Sequence, residues 1–212
     1  MGAALGPTSI RWLLICGVLT PFLYFGAQLI AAPLYPGYDA MRQAASDLGA
    51  RGASSATVFN AGALLTGVAS CLGGFGAFFA LLRERIHGLG AALVALCFLS
   101  NGFGAVNAFL HPLPDPAHNP GMLQVGIFAL PIVGLFVVWF LRDAVVTKSL
   151  LLFALAAFAA IAAIMSGLIP VVVSEAEGLW QRVAVAVLYA PLLTISASLW
   201  IRAAQPRIAQ TE

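Results

Sequence analysis

The sequence predicts an all-α membrane protein, a single-domain bundle of six transmembrane helices within residues 1–212. Of its residues 61% are apolar and only 8% are charged, whereas a soluble domain is nearer half apolar and a quarter charged. Apolar runs recur at residues 12–32, 57–82, 88–110, 121–141, 149–173 and 178–201. Each run is long enough to cross a hydrocarbon core of about 30 Å. The composition therefore predicts membrane lipids as partners, and a net charge of only +2 gives no reason to expect nucleic acid.

The positively charged residues fall mainly on one side of the predicted bundle. The side of the termini holds seven, and the opposite side holds three. The seven are Arg11, Arg83, Arg85, Arg142, Lys148, Arg202 and Arg207, and the three are Arg42, Arg51 and Arg182. Because Lys and Arg concentrate in cytoplasmic loops, both termini are predicted to be cytoplasmic in the cell membrane. The first run is longer than the roughly 7–15 residues of a signal-peptide core, so we expect it to be retained.

The second predicted span carries small residues at every fourth position: Gly62, Thr66, Ser70 and Gly74. Such a stripe is typical of a helix face on which another helix packs closely. The alternative is a polar pathway along Thr66 and Ser70.

The loop at residues 33–56 holds most of the candidate binding residues. Asp39 and Arg42 are three positions apart, a spacing that pairs them on one helical turn. Tyr38, Ser46 and Asp47 complete the set in this loop. A carboxylate near the hydrocarbon boundary is costly unless it is paired, so we expect Asp47 to be held by Arg42, by an arginine of another span, or by backbone N–H groups.

Two histidines and an aspartate lie within eight residues of the loop 111–120, at His111, Asp115 and His118. Histidine and carboxylate together suggest a zinc site or a general acid–base pair, with Asp47 as the fourth candidate catalytic residue. The alternative is a rigid proline-rich turn with solvated polar side chains. A catalytic zinc ion needs about three protein ligands and supporting contacts. The prolines exclude helical ligand spacing, so we predict no bound metal and no cofactor.

Three further candidate binding residues lie toward the outer ends of the spans, at Asn60, Asn107 and Arg182. Arg182 either snorkels toward the membrane surface or pairs with an acid such as Asp47. Asn101 and Asn107 are expected to form hydrogen bonds across the bundle. Ser54 or Ser55 is expected to cap the second span. Polar side chains thus gather at the outer end, which predicts a site there.

Residues 35–49 read Y-P-G-Y-D-x-x-R-Q-x-x-S-D-L-G, Phe59-Asn60 follow in the next span, and G-L-W-Q-R opens the last one. In these motifs the chain resembles the bacterial and archaeal membrane family catalogued as domain of unknown function 998, over residues 12–202. The resemblance implies a fold and a topology and does not imply a reaction. A histidine is common in that family near the position of Gln124, so this departure weakens an inherited metal site. The S-D-L-G loop is also similar to that of the Frag1 and DRAM membrane proteins, some of which are linked to lipid or glycolipid remodelling.

Three functions remain open from the sequence. The leading hypothesis is binding of a lipid, a small amphiphile or a partner at an outer-leaflet cavity, because no complete catalytic motif is present. The second is a membrane-embedded enzyme acting on lipid headgroups at the outer face, with or without a metal. The third is a small-molecule transporter, against which the lack of charged residues in mid-span counts.

Overall fold

The computed structural model describes residues 5–119 and 121–205, and no β-strand occurs within these ranges. The α-helices are α1 (Pro7–Ala31), α2 (Ala56–Arg83), α3 (Gly88–Leu110), α4 (Val125–Val138), α5 (Val145–Met165) and α6 (Glu177–Ala203). Short 3-10 helices occupy Ala32–Leu34, Ala45–Gly49, Pro116–His118 and Gly121–Gln124. The predicted all-α membrane bundle is confirmed. Arg207, one of the seven positive residues at the side of the termini, and Pro120, the last residue of the loop 111–120, lie outside the described residues.

Five of the six helices are long and apolar enough to cross a membrane, and α4 is the exception with 14 residues. A helix of that length rises about 21 Å. The 3-10 turn Gly121–Gln124 leads directly into α4 and adds about 8 Å, which brings the pair close to a hydrocarbon core of about 30 Å. The span predicted at residues 121–141 differs from α4 at both boundaries. Residues 121–124 form a 3-10 turn before the helix, and the helix ends at Val138.

The fifth span is shifted relative to its prediction of residues 149–173. Helix α5 begins at Val145 and ends at Met165. Gly167 follows with a φ of 77°, a left-handed conformation that favours glycine and closes the helix. The apolar run continues to Val173, so composition by itself does not show where the helix ends.

Helix α2 packs between α1 and α3, as its small residues predict. A Cβ added at Gly74 would lie 2.8 Å from Phe98 Cβ and 3.2 Å from the Ala95 carbonyl oxygen, both on α3. The Ser70 hydroxyl donates to the Phe98 carbonyl at 2.8 Å and accepts from Asn101 Nδ2 at 3.0 Å. The stripe therefore brings two helices together, and the expected hydrogen bond of Asn101 across the bundle is confirmed.

The bundle has two unlike ends. The arginine-rich end consists of the turns 84–87 and 139–144 and the last turn of α6. The loop end consists of residues 32–55, 111–119 and 166–176. The main apolar core lies mostly among α1, α2, α3, α4 and α6, and the peripheral α5 contributes Leu151 to it, with Thr147 and Ala154 as its other buried residues. A second, smaller core lies under the first loop at the loop end.

Candidate functional site

The guanidinium of Arg182 fastens the first loop to α6. Its Nη1 donates to the carbonyls of Ala40 at 2.8 Å, Gln43 at 3.0 Å and Gly178 at 2.7 Å. Its Nη2 donates to the Tyr38 hydroxyl, and the guanidinium carbon lies 5.7 Å from the centre of the Tyr38 ring. Arg182 thus neither snorkels nor pairs with an acid, and it holds the backbone of a loop about 140 residues away in sequence.

Further contacts complete this junction. Gln181 Oε1 accepts from the backbone N–H of Ala45 at 2.8 Å, and the backbone N–H of Leu179 donates to the Met41 carbonyl at 3.0 Å. The Tyr38 hydroxyl in turn donates to the Ala44 carbonyl at 2.9 Å. Burial raises the pKa of the Tyr38 hydroxyl, which the nearby Arg182 charge opposes. Tyr38 therefore stays a neutral donor in the junction at ordinary pH.

The expected pairing of Asp47 was wrong. Asp47 is half-buried, and within residues 5–119 and 121–205 its carboxylate accepts no hydrogen bond and has no cation within ion-pair distance. Arg182 is used by backbone carbonyls instead, while Arg42 pairs with Asp39 at 3.9 Å on an exposed turn. The Asp39–Arg42 pairing predicted from their spacing is confirmed. Ser46 lies in the same 3-10 turn as Asp47, and its side chain makes no hydrogen bond in the described part of the chain.

The loop 111–119 is held by its own polar side chains and by Arg51 of the first loop. Asp115 Oδ2 lies 3.0 Å from Arg51 Nη2 and 3.5 Å from His111 Nδ1, and its Oδ1 accepts from the Ala117 N–H at 2.9 Å. That backbone donor is the main reason why the pKa of Asp115 is lowered. His118 Nδ1 lies 2.8 Å from the His111 carbonyl. Arg51 also joins this loop to the first one, since its N–H donates to the Leu113 carbonyl at 2.7 Å.

These side chains do not form a metal centre in the described residues, where no group of three or more His, Cys, Asp or Glu is placed to hold an ion. Asp115 has both oxygens occupied, and His118 is turned onto a backbone carbonyl. Asp47, the fourth candidate, forms no hydrogen bond or ion pair with the other three in the described structure. The arrangement therefore fastens a proline-rich turn. Among the candidate general acids and bases of this loop, only His111 and Asp115 are in contact within the described residues.

The remaining candidates also bind loop backbone. Asn60 Nδ2 donates to the Gly49 carbonyl at 2.9 Å, and Asn107 Nδ2 donates to the Ala117 carbonyl at 2.7 Å. The prediction of a bond across the bundle was wrong for Asn107, because the following loop folds back over the end of its helix. Ser55 stands at the N-cap of α2, but its hydroxyl donates to the Leu48 carbonyl at 2.7 Å rather than capping the helix.

A large cavity lies at the arginine-rich end, opposite to the end where one was expected. At the loop end the first loop packs down on α2, with Ala45 and Leu48 fully buried over Phe59. At the other end an open cleft of about 1180 Å³ lies between α3 and α4. It is lined by residues 83–87, by the first turns of α3, by α4 and its following turn from Ile132 to Asp143, and by Arg202.

This arginine-rich cleft combines an apolar groove with a charged rim. Leu89 and Leu93 of α3 face Ile132 and Phe136 of α4, and Phe140 continues the row, all with exposed side chains. The rim carries Arg83, Arg85, Arg142 and Arg202, together with Glu84, Asp143 and His87. In the sequence analysis these arginines indicated only the orientation of the chain in the membrane. That they come together at one cleft is apparent only from the folded structure.

An ion pair fixes the rear of the cleft. Arg202 Nε and Nη2 lie 2.8 Å and 2.7 Å from Glu84 Oε2, and their side chains are 21% and 23% exposed. Arg202 Nη2 also donates to the Arg142 carbonyl at 3.0 Å. One side chain therefore holds together the end of α2, the α4–α5 turn and the end of α6.

The six α-helices of the described residues, with a charged, open cleft at one end and tightly fastened loops at the other, define a polytopic membrane protein. A family model described as Protein of unknown function (DUF998) matches residues 18–198. The match covers most of the chain, which therefore belongs to this family, as its first loop predicted. The similarity to Frag1 and DRAM proteins receives no support from these comparisons and stays a prediction. Comparisons with curated proteins and with solved structures found no match.

Proposed function

We propose that this protein binds an anionic amphiphile of the membrane in the arginine-rich cleft. The observation that supports the proposal best is the cleft itself, about 1180 Å³ in volume, with an apolar groove that ends at a rim of arginines. An amphiphile has the same two parts, an alkyl chain and a charged headgroup. The proposal keeps the leading hypothesis from the sequence and places the site at the other end of the bundle.

The groove runs along the helices, as an alkyl chain in a bilayer does. Leu89 and Leu93 are one helical turn apart, and Ile132, Phe136 and Phe140 follow one another at intervals of four residues. From Ile132 to Phe136 the helical rise amounts to about 6 Å, and Phe140 lies in the turn that follows α4. Large apolar side chains exposed on both walls favour contact with alkyl chains rather than with water.

The rim favours a negatively charged headgroup. Four arginines and two acids line the cleft, which leaves an excess of positive charge. The lysine and arginine bias predicts that this end faces the cytoplasm. Anionic lipids are concentrated in the cytoplasmic leaflet, where basic side chains attract them.

The test is labelling with a photoactivatable anionic alkyl amphiphile in detergent-purified protein. We expect peptide mapping to place the label on α3 and α4 beside Leu93 and Phe136. Leu93→Trp should fill the groove and reduce labelling, whereas Leu96→Trp is the matched control on an exposed position of α3 outside the cleft. Equal labelling of all helices, or labelling unchanged by Leu93→Trp, would overturn the proposal.

A small-molecule transporter is the second candidate, since a transporter needs a cavity that opens toward one side of the membrane. Beyond the groove, however, Val94, Phe98 and Leu130 are fully buried and close the bundle. Transport would therefore need a second conformation in which these side chains separate. Flux of an alkyl phosphate into proteoliposomes would support a transporter. Binding without flux would support the amphiphile-binding function alone. An enzymatic role has less support, because Asp115 and His118 are occupied in holding their loop.

A further inference from the structure

The turn after α2 places an arginine where glycine is the usual residue. The N–H of Ile86 donates to the Leu81 carbonyl at 3.0 Å, and the N–H of Arg85 donates to the Leu82 carbonyl at 3.0 Å. This pair of bonds is the Schellman motif, whose residue after the cap adopts a left-handed conformation. Arg85 occupies that position with a φ of 62°. A side chain other than glycine is strained there, so the fold alone does not account for arginine at this position.

The side chains of Arg85 and Arg142 remain available at the rim. Both residues are exposed, and neither side chain has a hydrogen-bond or ion-pair partner within residues 5–119 and 121–205. Arg202, by contrast, is occupied by Glu84. Arg85 comes from the α2–α3 turn and Arg142 from the α4–α5 turn, so they approach the cleft from the elements on either side of the groove.

The charge of the cleft matches a doubly charged group. Its four arginines and two acids leave an excess of two positive charges. His87 adds a further donor, because its Nδ1 accepts from the Leu89 N–H at 3.2 Å and its Nε2–H is left to donate. A phosphate monoester carries about −1.5 to −2 charges at pH 7 and accepts forked hydrogen bonds from arginine.

We infer that the headgroup bound in the arginine-rich cleft is a phosphate monoester, held by Arg85 and Arg142, with its alkyl chain between Leu93 and Phe136. This inference rests on the proposed function. It assigns the ligand class as a phosphomonoester lipid rather than a phosphodiester or zwitterionic one. Arg202 is a positioning residue, because it orients the turn that carries Arg142.

The experiment measures binding of three lysolipids with the same chain to the protein in neutral detergent, by native mass spectrometry. The probes are lysophosphatidic acid, lysophosphatidylglycerol and lysophosphatidylcholine, and inorganic phosphate is added as a competitor. We expect lysophosphatidic acid to bind about tenfold more tightly than lysophosphatidylglycerol, the factor given by one additional charge-assisted interaction. Arg85→Gly and Arg142→Gln should remove that preference, and Arg42→Gln, an exposed arginine at the loop end, should retain it.

The outcomes separate the inference from the proposed function. Equal binding of the two anionic lipids, both above lysophosphatidylcholine, overturns the headgroup assignment and leaves the proposed function standing. Equal binding of all three lipids overturns both. Displacement by inorganic phosphate at matched concentration assigns the site to free phosphate and also overturns the inference. Misfolding is excluded by the melting temperature of Arg85→Gly, which should equal or exceed that of the unsubstituted protein because glycine suits the left-handed turn.

Discussion

Removal of the Arg182 side chain should destabilise the bundle by releasing the first loop from α6. The guanidinium donates to the carbonyls of Ala40, Gln43 and Gly178 and to the Tyr38 hydroxyl. A typical intramolecular hydrogen bond contributes about 1 kcal/mol, and one from a charged donor contributes more. Water reaches part of the junction and replaces some of what is lost, so we expect Arg182→Ala to cost about 3 kcal/mol.

The assay is thermal unfolding in a mild detergent. For a chain of this length, about 3 kcal/mol corresponds to a fall in melting temperature of roughly 6–12 °C. Arg182→Lys should recover only part of the loss, because an ammonium cannot reproduce the fork of the guanidinium. Arg42→Gln is the control, since its pair with Asp39 is exposed and contributes less than about 1 kcal/mol. An Arg182→Ala variant that melts with the control would refute the reasoning.

Three further predictions follow from the packing and the charges. Gly74→Leu should destabilise the bundle by more than about 2 kcal/mol in the same assay, since α3 leaves no space for it, while Ala61→Leu on an exposed position of α2 should melt normally. Arg202→Gln should cost about 1–3 kcal/mol, between the values for exposed and buried ion pairs, and an unchanged melting temperature would show that the pair with Glu84 contributes nothing. Reporter fusions after residue 85 should read cytoplasmic and those after residue 116 external, and the reverse pattern would overturn the orientation.

The helices were predictable from the sequence because lipid imposes a simple rule on composition and length. The small-residue stripe on α2 was predictable for a similar reason, since Gly74 and Ser70 have a use only where backbones approach closely. The helix ends were less predictable. Residues 168–173 remain apolar, and the left-handed Gly167 shows that α5 has already ended.

The partners of individual charges could not be read from the sequence. Arg182 had carboxylates as its obvious partners, yet it satisfies backbone carbonyls of a loop that comes to lie beside it. Such carbonyls are present at every residue, so no pattern marks the ones that will be used. The cleft was missed for a related reason: Arg85, Arg142 and Arg202 lie on three separate segments, and their convergence is a property of the fold.

The most direct measurement is an experimental structure of the detergent-purified protein with lysophosphatidic acid added, at a resolution that shows lipid density. The account predicts an elongated density between α3 and α4, with its headgroup within hydrogen-bond distance of Arg85 and Arg142. A cleft filled by its own side chains, with lipid density at the loop end beside Tyr38 and Arg182 instead, would contradict it.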